Sequence, residues 1–201
     1  MMMSRKSLEG LYYYIPSIIK SFHLFPHSSM EPNTLVLFLA SPPALLAAVL
    51  ALLLGYTSDR FSERTFHIAV PLFFALVGII MSAATTDSIA RYISIYLYVA
   101  GHVAGTAMNW SWVPNSIQET PEKKACAIAI VNLLGGLGAI WGPFFFRKED
   151  APEYKLAFGL ISGFVVLDIT CCFWMRWILK RQNERLKRQD TGQSDLRLYV
   201  L

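Results

Sequence analysis

Residues 35–86 read LVLFLASPPALLAAVLALLLGYTSDRFSERTFHIAVPLFFALVGIIMSAATT. Two apolar runs, Leu35–Gly55 and His67–Thr86, flank a connector that holds every charged side chain of the stretch: Asp59, Arg60, Glu63 and Arg64. A run of about 20 apolar residues is what a helix needs to cross a hydrocarbon core about 30 Å thick. Neither run alternates apolar and polar residues with period two, so a barrel strand is excluded. What remains is the helix, which bonds its own backbone away from water. The stretch predicts a helical hairpin in a membrane.

Three similar runs follow, at Tyr92–Val113, Ala125–Phe146 and Leu156–Met175. The expected fold is all-α, a polytopic membrane helix bundle. Residues 1–30 are expected to form a truncated first helix and a loop, and residues 31–178 five transmembrane helices (about 35–55, 67–86, 92–113, 125–146 and 156–175). Residues 179–201 are expected to form a basic cytosolic tail. The early run Leu11–Ile19 is too short to span alone, and Pro16, its tyrosines and the lack of a small-residue cleavage site argue against a signal peptide.

Composition agrees. Of 201 residues only 16% are charged and 54% are hydrophobic, where soluble domains carry about 25% charged residues. The net charge of +4 arises in residues 176–201, with seven Lys/Arg against three acids, while the other 175 residues balance at eleven each. A basic cluster confined to one end suits an anionic leaflet, where each Lys/Arg is worth about 1 kcal/mol, and argues against a nucleic-acid groove. Counting Lys/Arg near the span ends puts eleven on the side of the tail, the Tyr56–Phe66 loop and the Pro114–Lys124 loop. The other side has five, so the C-terminus is expected in the cytosol. Cys126, Cys171 and Cys172 lie within runs and form neither a disulfide framework nor a zinc site.

Glycines recur four apart at Gly101/Gly105, Gly138/Gly142 and Gly159/Gly163, the spacing that lets membrane helices approach closely. Pro42 and Pro43 inside the first run, and Pro143 near the end of the fourth, each remove a helix hydrogen bond. No phosphate-binding glycine loop, His-Glu-x-x-His pair or Gly-x-Ser-x-Gly elbow is present, so the expectation is no enzyme, no cofactor and no metal. His23 and His27, with Pro26 between them, are read as loop residues.

The connector Gly55-Tyr-Thr-Ser-Asp59-Arg60-Phe-Ser-Glu63-Arg64 has the form G-x-x-x-D-R-x-x-x-R. It resembles the signature between the second and third helices of each half in the major facilitator superfamily, with Gly55, Asp59, Arg60 and Arg64 at the matching positions. Ser62 and Glu63 stand where the fuller pattern has a glycine and a basic residue. The stretch Ser111–Lys124, the Ala-Ile-Val-Asn132-Leu-Leu-Gly-Gly segment and Glu149–Tyr154 are similar to fungal members of the anion:cation symporter family, permeases for allantoate, nicotinate and pantothenate. The likeness runs from about Gly10 to Arg188 and corresponds to the second six-helix half of a twelve-helix carrier, its first helix truncated.

The resemblance implies a substrate site at mid-membrane between two halves. Polar residues on the corresponding helices are then the candidates: Tyr13, Tyr14, His102, Asn109, Trp110 and Asn132. Amide donors and aromatic faces suit a small carboxylate, and His102 suits a coupling proton, with an interhelical hydrogen bond as its other reading. Trp110 and Trp112 also fit an interfacial aromatic belt. Asp168 falls mid-run in the last block, where a carboxylate is costly, and is expected to be protonated or reached by water. The Asn109-Trp-Ser111 sequon lies at membrane depth and should stay unmodified. The implied function is transport of a small organic anion, of the carboxylate, vitamin or ureide type, by proton-coupled symport and alternating access, with a fungal plasma membrane as the expected location. The chain would be a partial carrier whose partners are the anion, protons, the bilayer and the missing N-terminal half. The alternative is a non-transporting truncated membrane protein or helix-packing subunit.

Overall fold

The computed structural model describes residues 32–61, 63–85, 87–117, 120–141 and 155–189. These form five helices with no strand among the described residues: α1 (Pro32–Phe61), α2 (Thr65–Ala84), α3 (Ser88–Asn115), α4 (Pro121–Trp141) and α5 (Lys155–Gln189). The residue-1–30 segment, Gly142, Pro143, Glu149–Tyr154 and the chain beyond Gln189 lie outside the described residues. Helix α5 continues past the apolar run into the basic segment, where Lys, Arg, Gln, Glu and Leu are all good helix formers.

Helix α3 is the centre of the arrangement. Both α1 and α2 pack on it, α5 packs on the far side of α2, and α4 touches α3 lightly. Helix α3 starts at Asp87, whose carboxylate accepts from the Ala90 amide at 3.2 Å and satisfies an orphan donor of the first turn. Three helices are apolar and long enough to cross a membrane on length and composition alone: α1, α2 and α5. In α3 the polar side chains Arg91, Ser94, His102 and Asn109 are buried, so its polarity faces protein rather than lipid.

The proline pair does not break α1, which runs as one helix through Pro42 and Pro43. Without amide hydrogens these residues leave the carbonyls of Phe38 and Leu39 without their i+4 donors. In a bilayer such groups need other partners. The Ser41 hydroxyl donates to the Phe38 carbonyl at 2.9 Å, and the Tyr92 hydroxyl of α3 donates to the Leu39 carbonyl at 2.9 Å. The second bond ties the weakened point of α1 to the central helix. Tyr96 backs Tyr92 edge-on, with ring centroids 5.3 Å apart.

The seam between α2 and α3 is set by glycines. A Cβ on Gly101 would strike the Pro71 carbonyl and come within 2.8 Å of the Ala75 nitrogen. One on Gly78 would lie 2.8 Å from the Ser94 carbonyl and 2.9 Å from the Tyr98 nitrogen. Gly78 has no four-residue glycine partner in the sequence and was not singled out by spacing. The expectation of close approach fails at Gly159 and Gly163, where nothing lies within 4 Å of an added Cβ. Helix α5 packs through its other face, a buried stripe of Ile161, Val165, Asp168 and Cys172, so the glycine spacing there marks an exposed side.

Candidate functional site

At the end of the bundle that carries the Asp-Arg connector, charged side chains join four helices. The Arg64 guanidinium is buried, donates to the Ser111 carbonyl at 2.7 Å and its hydroxyl at 2.6 Å, and pairs with Asp59 at 3.1 Å. One side chain thus links the ends of α1, α2 and α3. Ser58 adds a hydroxyl bond to the Glu63 carbonyl at 3.2 Å, which closes the turn. Glu63, which departs from the family pattern in sequence, has its own partner: Arg176 of α5 grips it through both carboxylate oxygens, at 2.5 and 3.0 Å. Arg176 also lies 4.6 Å over the Phe66 ring, and Phe66 meets Phe173 edge-on at 6.3 Å. Glu63, two residues ahead of α2, is thereby clamped to α5.

Gly55 lies within α1, and a Cβ there would meet the Met108 methyl at 3.5 Å, an ordinary contact. Arg60 is exposed and has no hydrogen-bond or ion-pair partner among the described residues. Of the four signature residues, Asp59 and Arg64 are joined, while Gly55 and Arg60 stand apart from that pair.

The second polar region is on the middle and later turns of α3. His102 is buried and stacks on Tyr98, with ring centroids 5.7 Å apart and planes within 5°. Asn109, also buried, follows seven residues later on the same side of the helix. Trp110 is half-exposed on a different side, and Asn132 on α4 is exposed. The structure thus groups His102 with Asn109 and leaves Trp110 and Asn132 outside that pair, while Tyr13 and Tyr14 lie outside the described residues. Trp112 is buried, which removes it from an interfacial belt. Asp168 is fully buried on the α5 stripe.

Between α1 and α2, over α3, lies a half-open crevice of about 360 Å³. Leu46, Leu50 and Leu54 form one wall, Val70 and Phe74 the other, and Ala100 and Ala104 lie on its floor. Its walls expose no polar atom, and none of the candidate polar residues lines it. Sequence reasoning missed this crevice, Ser111 and Arg176. Only the basic character of Arg176 beside an apolar run offered a signal.

The sequence profile described as Major Facilitator Superfamily matches residues 2–143. An MFS-type transporter of Penicillium expansum is 29% identical over 163 residues, 78% of this chain and 31% of that protein. An uncharacterized transporter of Schizosaccharomyces pombe is 28% identical over 178 residues, 88% of this chain and 35% of its own length. A protein of Agrobacterium vitis, named provisionally for tartrate transport, is 31% identical over 163 residues, 79% of this chain and 34% of its own length. The chain therefore spans about a third of the length of these relatives. Their names point to transport rather than catalysis. With the helical bundle and its apolar spans, the matched profile makes this chain an integral membrane protein that belongs to the major facilitator superfamily.

Proposed function

We propose that the chain forms the second half of a carrier that moves a small organic anion by proton-coupled symport and alternating access. The observation that carries this reading is the buried polar side of α3, where His102 on Tyr98 and Asn109 occupy the central helix. Polar side chains at membrane depth are costly and usually serve solute or ion paths. An imidazole suits a proton because its ordinary pKa lies near 6.5, and an amide suits a carboxylate oxygen. The relative named for tartrate transport supports an organic-acid substrate, and the likeness to allantoate, nicotinate and pantothenate permeases supports the same class. In this reading Asn132, Trp110, Tyr13 and Tyr14 complete the pocket once a first half is present. Gly55, Asp59, Arg60 and Arg64 form the gate, with Asp59 facing a helix N-terminus of that half.

The test is uptake of labelled nicotinate, pantothenate, allantoate and tartrate into cells lacking their own permeases. A full-length carrier that joins this chain to a first half should show saturable, acid-stimulated uptake of one of them, slowed by Asp59→Asn at unchanged expression. The 201-residue chain alone should insert and move none. Failure of every substrate would overturn the organic-anion reading, and saturable uptake by the short chain would overturn the need for a second half.

The same reading puts the C-terminus in the cytosol of a plasma-membrane protein, because the seven basic residues from Arg176 onward resist translocation. A cysteine introduced at Gln193 should react with an impermeant maleimide only after the cells are permeabilised. Labelling from outside intact cells reverses the topology.

A further inference from the structure

The crevice between α1 and α2 has no role in the transport reading, since its walls expose no polar atom to receive an anion and a charge there would be unsolvated. We infer that it holds one acyl chain of an anionic phospholipid from the leaflet that meets the Gly55–Arg64 turn, with the lipid phosphate on Arg60.

Four observations converge on this occupant. The crevice is half-open, apolar and about 360 Å³, within the usual range for pockets that bury a ligand, roughly 300–1,000 Å³. Its α1 wall is a row: Leu46, Leu50 and Leu54 stand at four-residue spacing, and Thr57 and Phe61 continue the row towards the helix end. Arg60 stands about 80° round α1 from the middle of that row, next to exposed Phe61 at its end. The depth also fits. From Arg60 to Leu46 is fourteen residues, or about 21 Å of helix, and one leaflet with its headgroups is about 20–22 Å thick.

Charge selects the headgroup. Asp59, Glu63 and Arg64 are committed to partners within the bundle, whereas Arg60 is exposed and unpaired among the described residues. A guanidinium takes a phosphate or carboxylate oxygen pair in fork geometry, the serine headgroup carries a carboxylate and a net negative charge that choline lipid lacks, and anionic lipids are concentrated in the cytosolic leaflet. The inference rests on the membrane bundle and on the orientation proposed above, and not on the solute carried.

The experiment uses the full chain, purified in mild detergent and analysed by native mass spectrometry with phosphatidylserine and phosphatidylcholine as probes. The chain should retain about one phospholipid through delipidating washes, with serine lipid preferred. Arg60→Gln should lower that preference about five-fold, the worth of one basic residue at an anionic surface. Leu50→Trp, which fills the crevice, should remove the bound lipid of both kinds while the helical circular dichroism stays unchanged. Should that variant misfold, phosphatidylserine with a photoreactive acyl chain, applied to the unaltered chain, decides the matter by labelling peptides around Leu50 and Ala100. A chain that washes free of lipid, labelling confined to other helices, retention of sterol instead, or an unchanged preference in Arg60→Gln would each overturn the proposal. An inverted topology at Gln193 would put the Gly55–Arg64 turn in the other leaflet and overturn the anionic headgroup.

Discussion

Gly101→Ala should lower the thermal unfolding midpoint of the purified chain, while the same change at Gly163 should raise it. Both glycines sit inside long helices, where alanine gains about 1 kcal/mol over glycine. At Gly163 nothing lies within 4 Å of the new methyl, so that gain stands. At Gly101 the methyl meets the Pro71 carbonyl and the Ala75 nitrogen, which are backbone atoms of α2 and cannot rotate away. The helices must separate along a seam that holds Ile68, Leu72, Ala75 and Val99 in contact. Overpacking costs about 1–3 kcal/mol, and backbone collision puts this case at the upper end, leaving a net loss of about 2 kcal/mol. Size-exclusion chromatography after graded heating reads both variants. An unchanged or raised midpoint in Gly101→Ala would show that the α2–α3 seam does not depend on Gly101.

Arg64→Met should cost about 3 kcal/mol, measured the same way. Methionine keeps the apolar stem but loses the two bonds to Ser111 and the pair with Asp59, and hydrogen bonds from a charged donor are worth about 1.5–3 kcal/mol each, less than additively. Arg64→Lys should fall between, since one ammonium lacks the planar fork that reaches Ser111 and Asp59 together. Asp59→Asn is the control. Its side chain is 72% exposed, so its removal should shift stability by less than about 1 kcal/mol. Equal losses for Asp59→Asn and Arg64→Met would mean that the ion pair, rather than the bonds to Ser111, holds the three helix ends. A nearly neutral Asp59→Asn would also free its uptake defect from any folding explanation.

The sequence was most legible where one property dominates. The apolar runs Leu35–Gly55, Tyr92–Val113 and Leu156–Met175 fall within α1, α3 and α5, and the Asp-Arg spacing put Asp59 and Arg64 within reach of each other. It was least legible where a face had to be chosen. In a membrane helix both lipid-facing and protein-facing sides are apolar, so the periodicity that reveals the buried side of a soluble helix fades. That is why Gly159 and Gly163 looked like contact residues and Gly78 did not. Trp110 and Asn132 qualify by residue type and by the helices that the resemblance implies, and their helix faces set them apart from His102 and Asn109. The Glu63–Arg176 clamp joins residues 113 apart in the chain, a distance over which a single sequence offers no pairing signal. The crevice is a property of three helices together, visible only once α1 and α2 are both seen to lean on α3.

The length of α5 sets how far its charges act. Thirty-five residues of continuous helix measure about 52 Å along the axis, and the hydrocarbon core takes only about 30 Å of that. Upright in the bilayer, Arg176 sits at the border and Arg188, twelve residues on, lies about 18 Å farther out. Headgroups fill about 5–8 Å of that distance, so Arg188 stands more than one physiological Debye length, about 8 Å, beyond the lipid surface. The basic segment is thus divided by ionic screening. Arg176, Lys180 and Arg181 feel the leaflet, with Arg181 lying 3.5 Å over the Trp177 ring, whereas Lys187 and Arg188 are displayed to the aqueous phase on a stiff stalk.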